Sequence, residues 1–175
     1  MAISKPGVGS AVAWTTGLTI VSASMSVTAG DIIVMAAGFD PAAINVTFTK
    51  SAGTGAIGAI TNRTKITTGV EGLSVSYCSV TTTGTVTITA TASATVTNGV
   101  LAIEVYRGAS GVKGGTGGTG ASGTTAPLTI NNTYQDSWQV MAVSTIVSGA
   151  NVPAASTNVT AVRTVASNIS GTAND

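Results

Sequence analysis

Leu73-Ser-Val-Ser-Tyr-Cys-Ser-Val80, Gly84-Thr-Val-Thr-Ile-Thr-Ala-Thr91 and Val100-Leu-Ala-Ile-Glu-Val-Tyr-Arg107 follow one another in the chain. In the middle run Val86, Ile88 and Ala90 alternate with Thr85, Thr87, Thr89 and Thr91. That period of two is the mark of a strand with one face buried. Threonine is β-branched and polar, so it keeps the backbone extended while facing water. Thr83-Gly84 and Asn98-Gly99 separate the runs. Asn-Gly suits the two positive-φ positions of a type I′ hairpin turn. The spacing therefore predicts three antiparallel strands in succession over Leu73–Arg107.

Outward from this stretch the same grammar recurs. Leu18–Thr28 reads as a first strand, closed by Ala29-Gly30-Asp31. Ile32–Ala37 is apolar on both faces, as expected of a central strand covered on each side. Ile44, Val46 and Phe48 alternate with Asn45, Thr47 and Thr49, and Ile60–Thr68 forms another run after the glycine-rich Ser51–Gly58. Later candidates are Pro127–Asn131, Trp138–Val147 and Val159–Val165. No window has helical spacing. The reading is all-β: one antiparallel β-sandwich over 18–175, jelly-roll-like, with an immunoglobulin-like sandwich as the alternative. Val34, Val86, Ile88, Leu101, Ile103 and Val140 are expected to face its core. Residues 1–17 read as an N-terminal arm outside the sandwich.

Two further patterns stand out. Glycine occupies positions 108, 111, 114, 117, 120 and 123, a register of three inside the Gly-rich 108–125 segment. It is either a loop grown by triplet duplication or a three-chain contact of the kind glycine triplets permit. Val34-Met35-Ala36 recurs as Val140-Met141-Ala142, and Arg63-Thr64 as Arg163-Thr164, which suggests a degenerate two-fold repeat. The second copy would lack the counterpart of the 84–106 hairpin, leaving a sheet edge near Val159–Val165. The arm before Leu18, or a partner, is expected to cover it.

Of 175 residues 43% are hydrophobic and only 7% charged, against about 25% in ordinary domains. Surfaces made of Thr, Ser, Asn and Gly carry little repulsion between copies, so self-association is expected. A net charge of +1 without a basic run argues against nucleic acid, and neither charge nor an apolar span points to a membrane. The first residues lack the apolar core of a signal peptide. Five Asn-x-Ser/Thr triplets, from Asn45 to Asn168, are read as chance.

The chain has no histidine, which removes the commonest general base and most zinc sites. The acids are scattered, and Asp31, Asp40 and Asp136 sit in turns, where carboxylates bond nearby amides. No catalytic, cofactor-binding or metal-binding residue is assigned, and no cofactor is expected. Cys78, the single cysteine, reads as a small buried hydrophobe. Glu104 lies inside an apolar strand and needs a partner. Arg63, Arg163 and Arg107 are the candidates for a structural ion pair. Trp14 and Lys5, in the arm, are the candidate partner contacts, although Trp14 could equally plug one end of the sandwich.

Val27-Thr-Ala-Gly-Asp-Ile-Ile-Val34, Thr83-Gly-Thr-Val-Thr-Ile-Thr-Ala90 and Ala102-Ile-Glu-Val-Tyr-Arg-Gly108 together resemble β-sandwich structural proteins of tailed-phage virions. The resemblance, over about residues 18–166, implies a bacteriophage head decoration (cement) or fibre protein without catalytic residues. Its partners would be other copies of itself, as a trimer, and the major capsid protein or another virion protein. Its place would be the virion, assembled in the host cytoplasm. A receptor- or glycan-binding module of a fibre or adhesin is the second reading, a bacterial surface protein the third, and an enzyme the last. Rows of exposed aromatic residues would favour glycan binding; an uncharged face would favour decoration.

Overall fold

The computed structural model describes residues 3–41, 43–68, 71–112, 141–146, 161–165 and 169–174. Among these there is no helix. The strands are β1 (Gly9–Trp14), β2 (Gly17–Val21), β3 (Met25–Val27), β4 (Ile32–Asp40), β5 (Val46–Ala52), β6 (Ala56–Ile57), β7 (Thr61–Thr68), β8 (Glu71–Thr82), β9 (Gly84–Val96) and β10 (Asn98–Tyr106). Three more follow: β11 (Met141–Ile146), β12 (Ala161–Val165) and β13 (Ile169–Asn174). Two antiparallel sheets pack face to face as a β-sandwich. One runs β1-β10-β4-β8, with β6 and β7 on the far edge of β8; in the other, β9 is flanked by β2 and β3 on one side and β5 on the other.

The inner faces supply the core. Ile33, Met35, Ala37 and Phe39 of β4 and Leu101, Ile103 and Val105 of β10 are fully buried against Val86, Ile88 and Ala90 of β9. Each of these side chains larger than alanine contributes about 1.5–3 kcal/mol by leaving water. Val34 lies on the opposite face of β4, half-buried beside Glu104, because it is out of phase with Ile33 and Met35. Val140 lies outside the described residues.

The strands of the deciding stretch are where alternation puts them, but their pairing is not. β8 bonds to β4 and β7, β9 to β2, β3 and β5, and β10 to β1 and β4. Successive strands thus cross between the sheets instead of forming hairpins. Asn98-Gly99 is not a type I′ turn: both residues open β10, opposite Asp40 and Phe39. Glycine is needed at 99 for room, since a Cβ there would stand 2.7 Å from the Gly38 carbonyl oxygen and 3.3 Å from Trp14 Cβ.

The expected free arm is also corrected. Ser10, Val12 and Trp14 alternate with Gly9, Ala11 and Ala13, and β1 pairs with β10 from Gly9↔Glu104 to Trp14↔Gly99. Small residues had hidden the period. The predicted strand Leu18–Thr28 is broken at Ser22–Ser24. There Ser22 Oγ accepts from Ile88 N (3.0 Å) and Ser10 Oγ accepts from Ala23 N (2.9 Å), so hydroxyls replace ladder partners.

The outer face of β4 and β10 is buried as well. Ile32, Ala36, Val100, Ala102, Glu104 and Tyr106 are each at most 8% exposed. Over this face lies a third sheet, β11-β13-β12, with β13 Cα atoms within 8 Å of β4 and β10. Gly38, Ala36 and Ala102 allow an approach closer than the ~10 Å usual for stacked sheets. β1 runs near β12, which pairs with β13 alone among the described residues. The repeated motif has unlike settings: β4 lies between β10 and β8, whereas β11 pairs with β13. The glycine triplets are described only to Val112.

Candidate functional site

β9 is central in its sheet, so its outward residues form the middle of rows. Thr91 stands between Thr19 of β2 and Thr47 of β5, and Thr89 between Val21 and Thr49. Thr85 faces Ser26, and Ser51 Oγ donates toward the Thr87 carbonyl oxygen (3.4 Å). No charged side chain occupies these rows. Lys50, at the edge, turns back to donate to the Gly53 carbonyl oxygen at 2.8 Å. Leu18 and Val21, 52% and 50% exposed, are the exposed large hydrophobic residues among those described, and both belong to β2.

A second feature is a cleft of about 330 Å³ at the open side of the sandwich, between β5 and β7. Asn45, Thr47, Asn62, Arg63, Lys65 and Ser74 line it, with Val46 beneath. β7 has a bulge between Asn62 and Thr64, so Arg63 is the extra residue that the β8 ladder leaves unmatched. Bulges re-aim side chains in this way. The Arg63 guanidinium lies 5.1 Å from the Tyr77 ring centroid and donates through Nη2 to the Val112 carbonyl oxygen (3.1 Å) and Tyr77 Oη (3.4 Å). Lys65 Nζ bonds Asn45 Oδ1 across the mouth. Asn45 is itself pinned to β9, its N–H donating to Ser93 Oγ and its carbonyl accepting from Ser93 N. Ser76 Oγ donates to Asn62 Oδ1 at 2.7 Å.

No known protein family, curated protein or solved structure matches the chain.

Glu104 is 2% exposed, and its Oε2 lies 3.3 Å from Lys5 Nζ. Lys5, expected to touch a partner, is paired within the chain, with its side chain 22% exposed. Arg63 is engaged at the cleft instead, and the Arg163 side chain lies outside the described residues. The third candidate, Arg107, belongs to Asp31: Nε–Oδ1 and Nη2–Oδ2 are both 2.9 Å, a two-pronged pair closed by Thr28 N donating to Oδ2 at 2.8 Å. Burial alone would raise the Asp31 carboxyl; the bonds from Arg107 and Thr28 N outweigh it and hold the carboxyl below its usual range. The Asp31 pairing raises Arg107 in turn. This clamp ties the entry to β4 to the exit from β10.

Trp14 is 2% exposed in the core, which places it among the packing residues. Cys78 is buried, and desolvation pushes its thiol up to about 11, so it stays protonated. Among the described residues no three His, Cys, Asp or Glu side chains gather as a metal site. Sequence reasoning chose Arg63 for a different role and passed over Asn45, Asn62 and Lys65. The available signal was the density of cationic and amide residues in Asn62-Arg-Thr-Lys65, within a chain so poor in charge.

Proposed function

We propose that the chain is a non-enzymatic virion structural protein, a bacteriophage head decoration or cement protein that binds across neighbouring capsid subunits. The observation that carries this reading is the uncharged threonine face of the sheet centred on β9, with Leu18 and Val21 at its margin. Burying hydroxyl and methyl groups against a partner costs far less than burying charges. Among the described residues the face has no aromatic platform, which weighs against stacking on neutral sugars. The resemblance to tailed-phage proteins supplies the partners, namely the major capsid protein and further copies of this chain as a trimer. Assembly would take place in the host cytoplasm.

Electron microscopy of particles labelled with antibody against this chain tests the reading. Label over the heads is expected; label at fibre tips, or none on particles, overturns it. Thr91→Glu, at the centre of a row, should weaken attachment at least about tenfold while the sandwich stays folded. The second reading, a receptor- or glycan-binding module, is favoured by the cleft beside Arg63 and Lys65.

A further inference from the structure

We propose that the cleft between β5 and β7 binds a carboxylated sugar unit. The inference rests on the second reading, the glycan-binding module, and the cleft meets the threonine face at Thr47. Among the described residues the cleft lining holds two cations, Arg63 and Lys65, and no carboxylate. A site with that balance selects an anion. At about 330 Å³ the cleft is at the small end of ligand sites, matched to one monosaccharide.

The cations are already oriented. The Tyr77 ring and the Val112 carbonyl hold one end of the Arg63 guanidinium, while Nε and Nη1 make no bond to a described residue. Each offers a single N–H to an anionic oxygen; the two-pronged fork is not open, since both of its faces share the occupied Nη2. Lys65 is held across the mouth by Asn45, so a ligand meets a prearranged ammonium. Sulfate can accept from the same groups but has no ring hydroxyls to donate to the Thr47 and Ser74 oxygens. Asn62, Thr47 and Ser74 add amide and hydroxyl groups, the complement of neighbouring sugar hydroxyls. Because Ser76 Oγ occupies Asn62 Oδ1, the Asn62 amide nitrogen is left to donate. Among the described residues no aromatic ring lines the cleft, and the nearby Tyr77 face is taken by Arg63. Recognition therefore rests on charge and hydrogen bonds rather than stacking.

Titration of ¹⁵N-labelled protein with sodium glucuronate, glucose or sulfate, followed by amide chemical shifts, tests this. Glucuronate should shift Asn45, Asn62, Arg63, Lys65 and Ser74 at millimolar concentration, with glucose inert and sulfate distinctly weaker. Arg63→Gln and Lys65→Gln should each weaken glucuronate binding about tenfold, the loss of one charge-assisted bond, with distant amides unmoved. Lys65→Gln keeps the test meaningful if Arg63→Gln disturbs β7. Absence of shifts at these residues, equal shifts with glucose or sulfate, or undiminished binding by both variants would overturn the proposal.

Discussion

In β9 the residues turned away from the core are Thr85, Thr87, Thr89 and Thr91, whereas in β10 they are Val100, Ala102, Glu104 and Tyr106, all buried. The two strands are consecutive, antiparallel to their neighbours and equally extended. They differ in what covers the second face. β9 has solvent there, so selection for hydroxyls produces clean alternation. β10 has the β11-β13-β12 sheet there, so a near-continuous apolar run is tolerated. The comparison also shows where charge is admitted. The doubly covered sheet holds the buried carboxylates Asp31 and Glu104, each with a basic partner, while the threonine rows hold none.

The largest effect should come from the shared interior. Ile88→Ala in β9 and Ile103→Ala in β10, both fully buried toward the same core, should each cost about 2–5 kcal/mol in denaturant unfolding. A loss below about 1 kcal/mol at either would break the claim that both strands face one core.

Outward substitutions separate the two environments. Ala36→Leu in β4 should cost about 1–3 kcal/mol, because the third sheet leaves no room for extra methylenes. Thr87→Leu on the β9 face should change stability by no more than about 0.5 kcal/mol. Equal small effects in melting experiments would show that the outer face of β4 is not covered.

The smallest effect concerns charge. Asp31→Asn keeps an acceptor for Thr28 N but removes the pair with Arg107, which is partly exposed, so a loss of about 1 kcal/mol at neutral pH is expected. The folded Asp31 carboxyl is depressed, so its stabilisation is present above the unfolded value near 3.9 and lost as pH falls through the folded value. The difference between the native chain and the variant should therefore shrink below about pH 4. A difference that stays constant into acid would show that the pair contributes nothing.

Much of the fold was legible because alternation is local. Val86, Ile88, Leu101 and Ile103 were placed in the core from spacing alone, and Cys78 as a buried thiol from its position in a strand. Ile32–Ala37 was legible as doubly covered because both of its faces are apolar. Ser10, Val12 and Trp14 were not legible as β1, since Gly9, Ala11 and Ala13 dilute the contrast on which periodicity depends. The site was less legible still. Asn45 and Lys65 are twenty residues apart, and only the gap between β5 and β7 brings them into contact.

What the sequence by itself determined, in strands with strong contrast such as β9, is which residues are extended and which side avoids water, because those depend on side-chain type at a spacing of two. It could not determine which strands share a sheet. Asn98-Gly99 is compatible with a hairpin, but the Gly38 carbonyl and Trp14 demand that glycine for close packing, and β10 bonds to β1 and β4 instead. Ion partners followed the same division. A buried Glu104 announces the need for a cation, but Lys5 fills it only because β1 lies antiparallel to β10 and carries the preceding residues along it. Pairing and charge matching are long-range, set by the joint burial of all faces at once, and so belong to the tertiary structure.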